Sequence, residues 1–494
     1  MADTSRAGIE MNFTFGKGRK PKLDRNPDAP LRMLVLGDFG GHASHGQVRS
    51  GAELRPLRVD LDSLPALFGK IAPQIQIRLG DQAPFTIPVR ELEDFHPDHL
   101  FASHEFFAPM RELRRQLQDP KTFALAAAMV GSIGPLNPAQ AAPSAGEMAA
   151  HGEDLQRLLG KPSATEAPAV QPRSAVDAMI REAVAPHIVG KSDPRQADLV
   201  AAVDGMTGEL MRAVLHDPGF QAMEAAWRGL DRVLHTLELD DTLQVHVLDA
   251  SHAELTEDFA AAPSLAESTM YGIVVDRVGD KPWSLLVDCA DYGRGQEDAA
   301  LLARLGTLAQ EVDAAVVAGM TWAAFSTGFA SREDERAWAA LRNSTAATSI
   351  AVALPSILQR LPYGKSTDPT ERFVFTEQAS PPVPGRYLWG SSALAVGQLL
   401  AQSFASAGGW DFAPGDESSQ STIDDLPTHI TKQDGESVQT PCAQTWLPES
   451  KIDALIKEGL MPMVSVQGRG QVRVPRFQSI ASPPAALAGR WRND

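Results

Sequence analysis

Residues Leu215–Leu230, LHDPGFQAMEAAWRGL, constrain the fold more than any other stretch of the chain. Asp217 stands where a helix N-cap belongs and Pro218 at the first helical position, so two independent signals mark a helix start. Phe220, Met223, Trp227, Leu230 and Leu234 then follow at spacings of three and four, which gathers the large apolar side chains on one face. Glu224 and Arg228 make an i,i+4 pair on another face. A helix that must bury a tryptophan needs a large core, and 494 residues are enough for two or three domains.

The rest of the chain supplies strands for that core. Leu31–Asp38, LRMLVLGD, is a short apolar run suited to a buried strand. The stretch PLRVDLDSLPALF follows, then strand candidates at Ile75–Leu79 and Phe85–Val89 and a helix through Met110–Leu117. Beyond the Trp227 helix, four apolar segments end at or near Asp or Gly: Leu243–Asp249, Tyr271–Asp276, Trp283–Asp288 and Ala314–Gly319. Helical stretches, notably Glu297–Val312, separate several of them, which predicts an α/β class with a mixed or parallel sheet. From Ser421 onward the spacing is hairpin-like, with Asp434-Gly435 as a turn and two alternating strands around Gly468-Arg469-Gly470. No internal repeat recurs at a fixed period.

Ile9–Phe15, IEMNFTF, alternates, with Ile9, Met11, Phe13 and Phe15 on one side. A strand before a basic connector can be lent to a neighbouring subunit or kept as an edge strand of its own domain, and both remain open. Residues 131–173 are rich in Ala, Pro, Gly and Ser, a composition that cannot offset chain entropy by burial, so they read as a linker with room for a short helix at Met148–Leu159. Val176–Ile188 follows as a small amphipathic helix. The expected organisation is a small α/β domain (1–130), a linker (131–174), a helical connector (175–195) and a larger mixed α/β domain (196–494).

Composition narrows the function. Lys and Arg total 45 against 62 Asp and Glu, a net charge of −17, which argues against nucleic acid and against an anionic membrane surface. Cys289 and Cys442 are lone residues, so a disulfide scaffold or zinc site is not expected and a reducing compartment is. The first residues carry no apolar signal-peptide core, and the longest apolar runs fall short of the roughly 20 residues of a membrane span. A cytoplasmic protein without membrane insertion is the expectation.

Asp38, Asp249, Asp276 and Asp288 each follow an apolar run and could hold a divalent cation, but Asp is a preferred residue at turn and helix caps, and capping is the reading taken. Gly293 and Gly295 lack the third glycine of a dinucleotide fingerprint, and Glu297 and Asp298 would repel a pyrophosphate. No phosphate-binding loop and no nucleophile elbow is present. His96, His99 and His104, with Asp98 and Glu105 nearby, have metal-ligand types but read as surface or capping residues. No catalytic, cofactor-binding or metal residue is assigned, and no enzyme activity is expected.

The wording of three segments goes beyond periodicity. HDPGFQAMEAAWRGL resembles the opening of the conserved region of the large subunit of the type VI secretion contractile sheath. LPSILQRLPYG at 354–364 and YLWGSSALAVGQLLAQSFASAGG at 387–409 resemble two further signatures of that family, in its order. Phe220, Trp227, Leu361, Pro362, Tyr363, Gly364, Tyr387, Trp389 and Gly390 are the signature positions. PLRMLVLGDF, RPLRVDLDSLPALFGKIAP and RELEDFHPDHLF resemble the body of the sheath's small subunit. The resemblance implies a small-subunit-like part fused to a large-subunit-like part, a structural protein that acts by assembly and needs no cofactor. Its implied partners are other sheath subunits or copies of itself, with the inner tube, the baseplate and an AAA+ unfoldase beyond them. Strand exchange through Ile9, Met11, Phe13 and Phe15, and unfoldase contact through Val176, Met179 and Ile180, are implied in the same way. In the family the large subunit continues beyond the part resembling LMPMVSVQGRGQVRVPRFQS, whereas this sequence ends at Asp494. That difference raises the alternative of a non-propagating cap, adaptor or assembly regulator; an α/β enzyme with an unrecognised site is a third reading.

Overall fold

The computed structural model describes residues 27–80, 83–131 and 193–491 except 280, 380, 418 and 434. The Ile9–Phe15 strand, the linker with its Met148–Leu159 helix and the Val176–Ile188 helix lie outside the described residues.

Five strands come first: β1 (Leu31–Gly37), β2 (Leu57–Val59), β3 (Gln74–Ile77), β4 (Phe85–Pro88) and β5 (Leu243–Asp249). Next are β6 (Leu285–Tyr292), β7 (Ala315–Met320), β8 (Ile350–Leu354), β9 (Ile357–Leu358) and β10 (Trp389–Gly390). The last are β11 (Thr422–Ile423), β12 (Ile430–Gln433), β13 (Glu436–Gln439), β14 (Met461–Pro462), β15 (Val464–Val466) and β16 (Gln471–Arg473).

Seven of them build one sheet in the order β14-β8-β7-β6-β1-β5-β2. All its pairings are parallel except β2 on β5. Such a sheet needs helices on both faces, and its inner strands β7 (AVVAGM) and β8 (IAVAL) are therefore continuous apolar runs, whereas β5 (LQVHVLD), next to the edge strand β2, carries Gln244 and His246. Leu31, Met33 and Val35 of β1 point into one core, where Trp227 and the Ser392–Ala407 helix pack. Leu34 and Leu36 point into the other, filled by the Gln296–Glu311 helix and Trp338. β5 to β8 divide their side chains between the two cores in the same alternation.

The position of β1 decides the architecture. It comes from the small-subunit-like segment, yet lies between β5 and β6 of the large-subunit-like segment, paired from Leu31↔Leu243 to Gly37↔Asp249 on one side and from Met33↔Leu285 to Leu36↔Asp288 on the other. The two sequence segments therefore share one sheet and one pair of cores.

Trp227 fastens the same junction. The Pro218–Thr236 helix starts as expected, with the Asp217 carboxylate accepting from the backbone N–H groups of Gly219 and Phe220 at 2.9 and 3.0 Å. Its apolar stripe is buried throughout. Trp227 stacks on Phe68 with ring centroids 3.8 Å apart, meets Phe39 edge-on at 5.2 Å, and donates its indole N–H to the Phe39 carbonyl at 3.0 Å. Phe220 meets Phe95 edge-on at 5.5 Å. Close approach on the other side depends on small residues: a Cβ on Gly229 would stand 2.6 Å from Leu394, and one on Gly397 2.8 Å from Val287.

One expectation is corrected. Tyr271–Asp276 is not a strand: Thr269–Tyr271 is a short helical turn that continues as a π turn over Gly272–Asp276. The Ser268 hydroxyl caps it by accepting from the Tyr271 N–H, and the Asp258 carboxylate accepts from Thr269 and Met270. Met270, Ile273 and Val274 then fall on one buried helical face. Short β-branched runs do not separate strand from buried helix by periodicity, and Asp276 accordingly ends no strand. The β12–β13 and β15–β16 hairpins form where expected, and the two strand candidates at Ile75–Leu79 and Phe85–Val89 are β3 and β4, which pair with each other antiparallel.

Because the segments share a sheet, a chain cut by a site-specific protease at a recognition sequence inserted after residue 140 should stay together. The two fragments are expected to co-elute in native size-exclusion chromatography and to separate only in denaturant; separation in native buffer would contradict the shared core.

Candidate functional site

The densest polar constellation joins the first two signature segments. β8 leads into β9, and Arg360 follows two residues later, only 8% exposed. Its Nε donates to Glu224 Oε1 at 2.7 Å and its Nη1 to Glu377 Oε2 at 2.7 Å; Nη2 reaches the remaining oxygens at 3.3 and 3.2 Å. The planar guanidinium thus bridges two carboxylates bidentately, a geometry Lys cannot supply. Arg228 donates from Nε to Glu224 Oε1 at 2.7 Å and from Nη2 to the Tyr363 hydroxyl at 3.2 Å. Tyr363 lies under the Arg360 guanidinium at 4.1 Å and donates its backbone N–H to Glu377 at 2.8 Å.

Two carboxylates face two guanidinium groups, so the buried charge is balanced. Burial pushes Glu377 up, but the Arg360 charge, the His216 and Arg360 side chains and the Tyr363 N–H outweigh it and hold the carboxyl down at about 2. Burial raises Tyr363 above its ordinary range. Both carboxylates are matched by guanidinium donors, and the arrangement holds segments together.

It holds several. His96 meets Tyr363 edge-on at 4.9 Å, Asp98 accepts from the backbone N–H groups of Glu371 and Arg372 at 2.7 and 3.0 Å, and Asp204 accepts from Arg114 at 2.8 Å and from the Val374 N–H at 3.2 Å. The loop carrying Leu361, Pro362, Tyr363 and Gly364 is stitched in this way to the N-terminal segment. Within it, the Leu361 carbonyl accepts from Arg360, Thr367 donates to the Pro362 carbonyl, and the Gly364 N–H donates to Asp368. The third signature joins through antiparallel pairing of β10 with β9, Trp389↔Leu358 and Gly390↔Ile357. The Tyr387 hydroxyl lies 2.6 Å from His429 Nδ1, and the Trp389 indole donates to the Pro384 carbonyl. Phe220 and Trp227 stand apart from these polar contacts, in the apolar core beneath.

The acids after the strands have structural partners. Asp38 accepts from the backbone N–H groups of His42 and Ala43; Asp249 accepts from the Gly40 N–H and pairs with His42 Nε2 at 2.9 Å and Arg49 at 3.0 Å. The Asp249 carboxylate raises His42 by that hydrogen bond. Asp38, His42 and Asp249 lie close enough to share a cation, but Arg49 and the backbone donors occupy their oxygens. Asp288 accepts from the Tyr292 hydroxyl at 2.5 Å. His96 and His104 cap helices, accepting from Asp98 and Phe106 N–H groups, while His99 pairs with Asp94 at 3.2 Å.

The sequence pointed to Glu224 and Arg228 only as a local i,i+4 pair. Their binding partner Arg360 lies 136 residues from Glu224, and Glu377 lies outside all three signatures. An Arg and a Glu flanking the same LPYG stretch were the only available hint.

Comparison with known proteins follows the same division. Residues 197–481 match the family described as VipB: EvpB/VC_A0108, tail sheath N-terminal domain, and residues 17–128 match the family described as type VI secretion system, VipA, VC_A0107 or Hcp2. A similar protein is the type VI secretion system sheath protein TssC1 of Pseudomonas aeruginosa PAO1, 26% identical over 305 residues, which are 58% of this chain and 61% of that relative.

Replacing Arg360 by Met leaves Glu224 and Glu377 facing each other in the interior and should cost about 3–5 kcal/mol in chemical denaturation, as breaking a buried pair generally does. Glu377 binds its proton more weakly folded than unfolded. Its contribution is complete above the ordinary 4.5 and is lost as the pH falls toward about 2. Glu377→Gln should therefore flatten the loss of stability over that acid range, measured by denaturation at successive pH values.

Proposed function

Because the chain belongs to the VipB tail-sheath family, which it matches over more than half its length, and carries a VipA-like segment ahead of that region, we propose that it is a sheath building block uniting both subunit types in one polypeptide. The observation that carries this reading is β1: the small-subunit-like segment supplies the central strand of the large-subunit-like sheet, so one chain makes the unit that two chains would otherwise share. Its activity is protein–protein assembly into or onto a contractile type VI secretion sheath in the cytoplasm, and it is not an enzyme. No helix among the described residues is long and apolar enough to cross a membrane.

Its partners on this reading are copies of itself or other sheath subunits, then the inner tube, the baseplate and an AAA+ unfoldase that grips Val176, Met179 and Ile180. Ile9, Met11, Phe13 and Phe15 form a strand exchanged with a neighbour. The β12–β13 ribbon supports an acceptor for it: among the described residues it is a two-stranded sheet, with Ile430 62% and Val438 39% exposed. Two-stranded ribbons gain stability from a third strand.

Negative-stain microscopy of the purified chain, alone and mixed with other sheath subunits, should show tubes. Uniform small particles under every assembly condition would overturn polymerisation and favour a capping or adaptor role. Deletion of residues 1–16 should lower the assembled mass in light scattering, and an unchanged mass would reject strand exchange.

A further inference from the structure

Near the edge strand β2, the sheet face that fills the second core changes character. Leu34, Leu36 and Leu248 lie in that core. The same face of β1, β5 and β2 then carries Arg32, Gln244, His246 and Arg58, in register as Arg32↔Gln244 and Arg58↔His246. His246 is only 8% exposed, and its Nδ1 is buried without a hydrogen-bond partner. The Nε of Arg32 is likewise buried and unbonded. A buried polar nitrogen left unpaired costs free energy, so two of them at one corner of the sheet call for a partner.

Trp283 is the wall they share. The Arg32 guanidinium lies 4.1 Å over its ring, the His246 imidazole meets it edge-on at 4.9 Å, and its indole N–H is already used by the Ile273 carbonyl at 3.0 Å. The charged residues at this corner are Arg32 from β1, Arg58 from β2, Asp240 and Asp241 from the turn before β5, and Lys281, whose carbonyl accepts from Arg32. The two acids are taken or remote. Asp240 accepts from Thr242 and Leu243, and Asp241, 96% exposed, reaches only Arg58, at 3.4 Å. Among the described residues no carboxylate bonds Arg32 or His246, so positive charge is in excess here although the chain's net charge is −17. Burial first, and then the Arg32 and Arg58 charges, hold His246 down at about 4 and keep the ring neutral at physiological pH. Arg32 is lowered as well, by burial and by Arg58.

We propose that Arg32, Arg58 and His246 form a binding site for an oxyanion, a carboxylate or a phosphate-type group, entered from the β2 edge past the half-exposed Arg58. Guanidinium groups present paired N–H donors that match such anions. A bound anion gives the unbonded Arg32 Nε an acceptor and cancels the charges that keep His246 neutral; the ring then takes up a proton and becomes a third donor. Two sources offer this chemistry: a free phosphate-type ion, and an acidic side chain of a second copy of this acidic chain. The site stands on this corner of the sheet alone and does not depend on the sheath reading.

NMR titration of the full chain, isotope-labelled at histidine Cε1, tests the site, with the His246 signal identified by its loss in His246→Gln. Sodium sulfate is the probe, because its charge stays constant over the titration, and sodium chloride of equal ionic strength is the reference. The His246 midpoint is expected to lie about one pH unit or more higher in saturating sulfate, which is a linkage of about tenfold or more between anion and proton. Arg58→Gln should raise the midpoint in chloride, since a neighbouring positive charge is gone, yet remove most of its response to sulfate; Arg58→Lys should keep part of that response. A midpoint that rises in chloride with protein concentration, while light scattering shows a growing mass, assigns the anion to a second copy. One that moves only with added sulfate assigns it to a free ion. A midpoint moved by neither sulfate nor protein concentration, or a sulfate response that survives Arg58→Gln in full, would overturn the proposal.

Discussion

Strand β1 is hydrogen-bonded along both edges and covered on both faces. Removing such a strand would leave the facing edges of β5 and β6 as rows of buried, unpaired backbone groups, each costing about 1–3 kcal/mol. It would also uncover apolar side chains in both cores at once. The sheet therefore cannot exist as a seven-stranded unit without the N-terminal segment, and that segment has little core of its own beyond the β3–β4 hairpin and the helices around it. Its partner Leu243 lies far along the chain from Leu31. Loop-closure entropy grows only with the logarithm of loop length, so the intervening linker adds little to the cost of that pairing.

Two further interactions settle how the helices and loops lie on this sheet, and they differ in kind. Trp227 between Phe68 and Phe39 is apolar packing with one satisfied indole donor, and contributes through buried area and ring geometry. The Glu224–Arg360–Glu377 bridge is ionic and fully desolvated, so its net contribution to stability is small compared with the penalty for breaking it. Its value is positional. A guanidinium that must satisfy two carboxylates leaves the LPYG loop one place to be. Asp98 then fixes the far end of that loop to the N-terminal segment, and Asp204 ties it to the Gln196–Leu215 helix and, through Arg114, to the same segment.

The carboxylates of this bridge face inward, each held by guanidinium and backbone donors. Outside the covered sheet stands the two-stranded β12–β13 ribbon, with Ile430 and Val438 exposed. In the proposed sheath role the fused organisation keeps the two subunit types in equal number by covalent connection.

Much of this was legible in the residues. Asp217-Pro218 and the stripe from Phe220 to Leu234 defined a helix, its start and its buried face, because capping and periodicity are local and reach no farther than a few turns. The apolar runs at 31–38 and 314–319 defined buried strands, because a strand covered on both faces has little room for polar side chains; 243–249 alternates with Gln244 and His246 and was marked by Leu243, Val245, Val247 and Leu248. The run at 271–276 did not reveal its conformation, since its helical turn depends on Ser268 and on Asp258 from the preceding helix. Glu224 was visible only as a neighbour of Arg228. Periodicity reports which face of an element is apolar and says nothing about what will face it, so the bridge to Arg360 and Glu377, and the merging of two sequence segments into one sheet, were decided only when tertiary packing brought distant backbone edges and charges into contact.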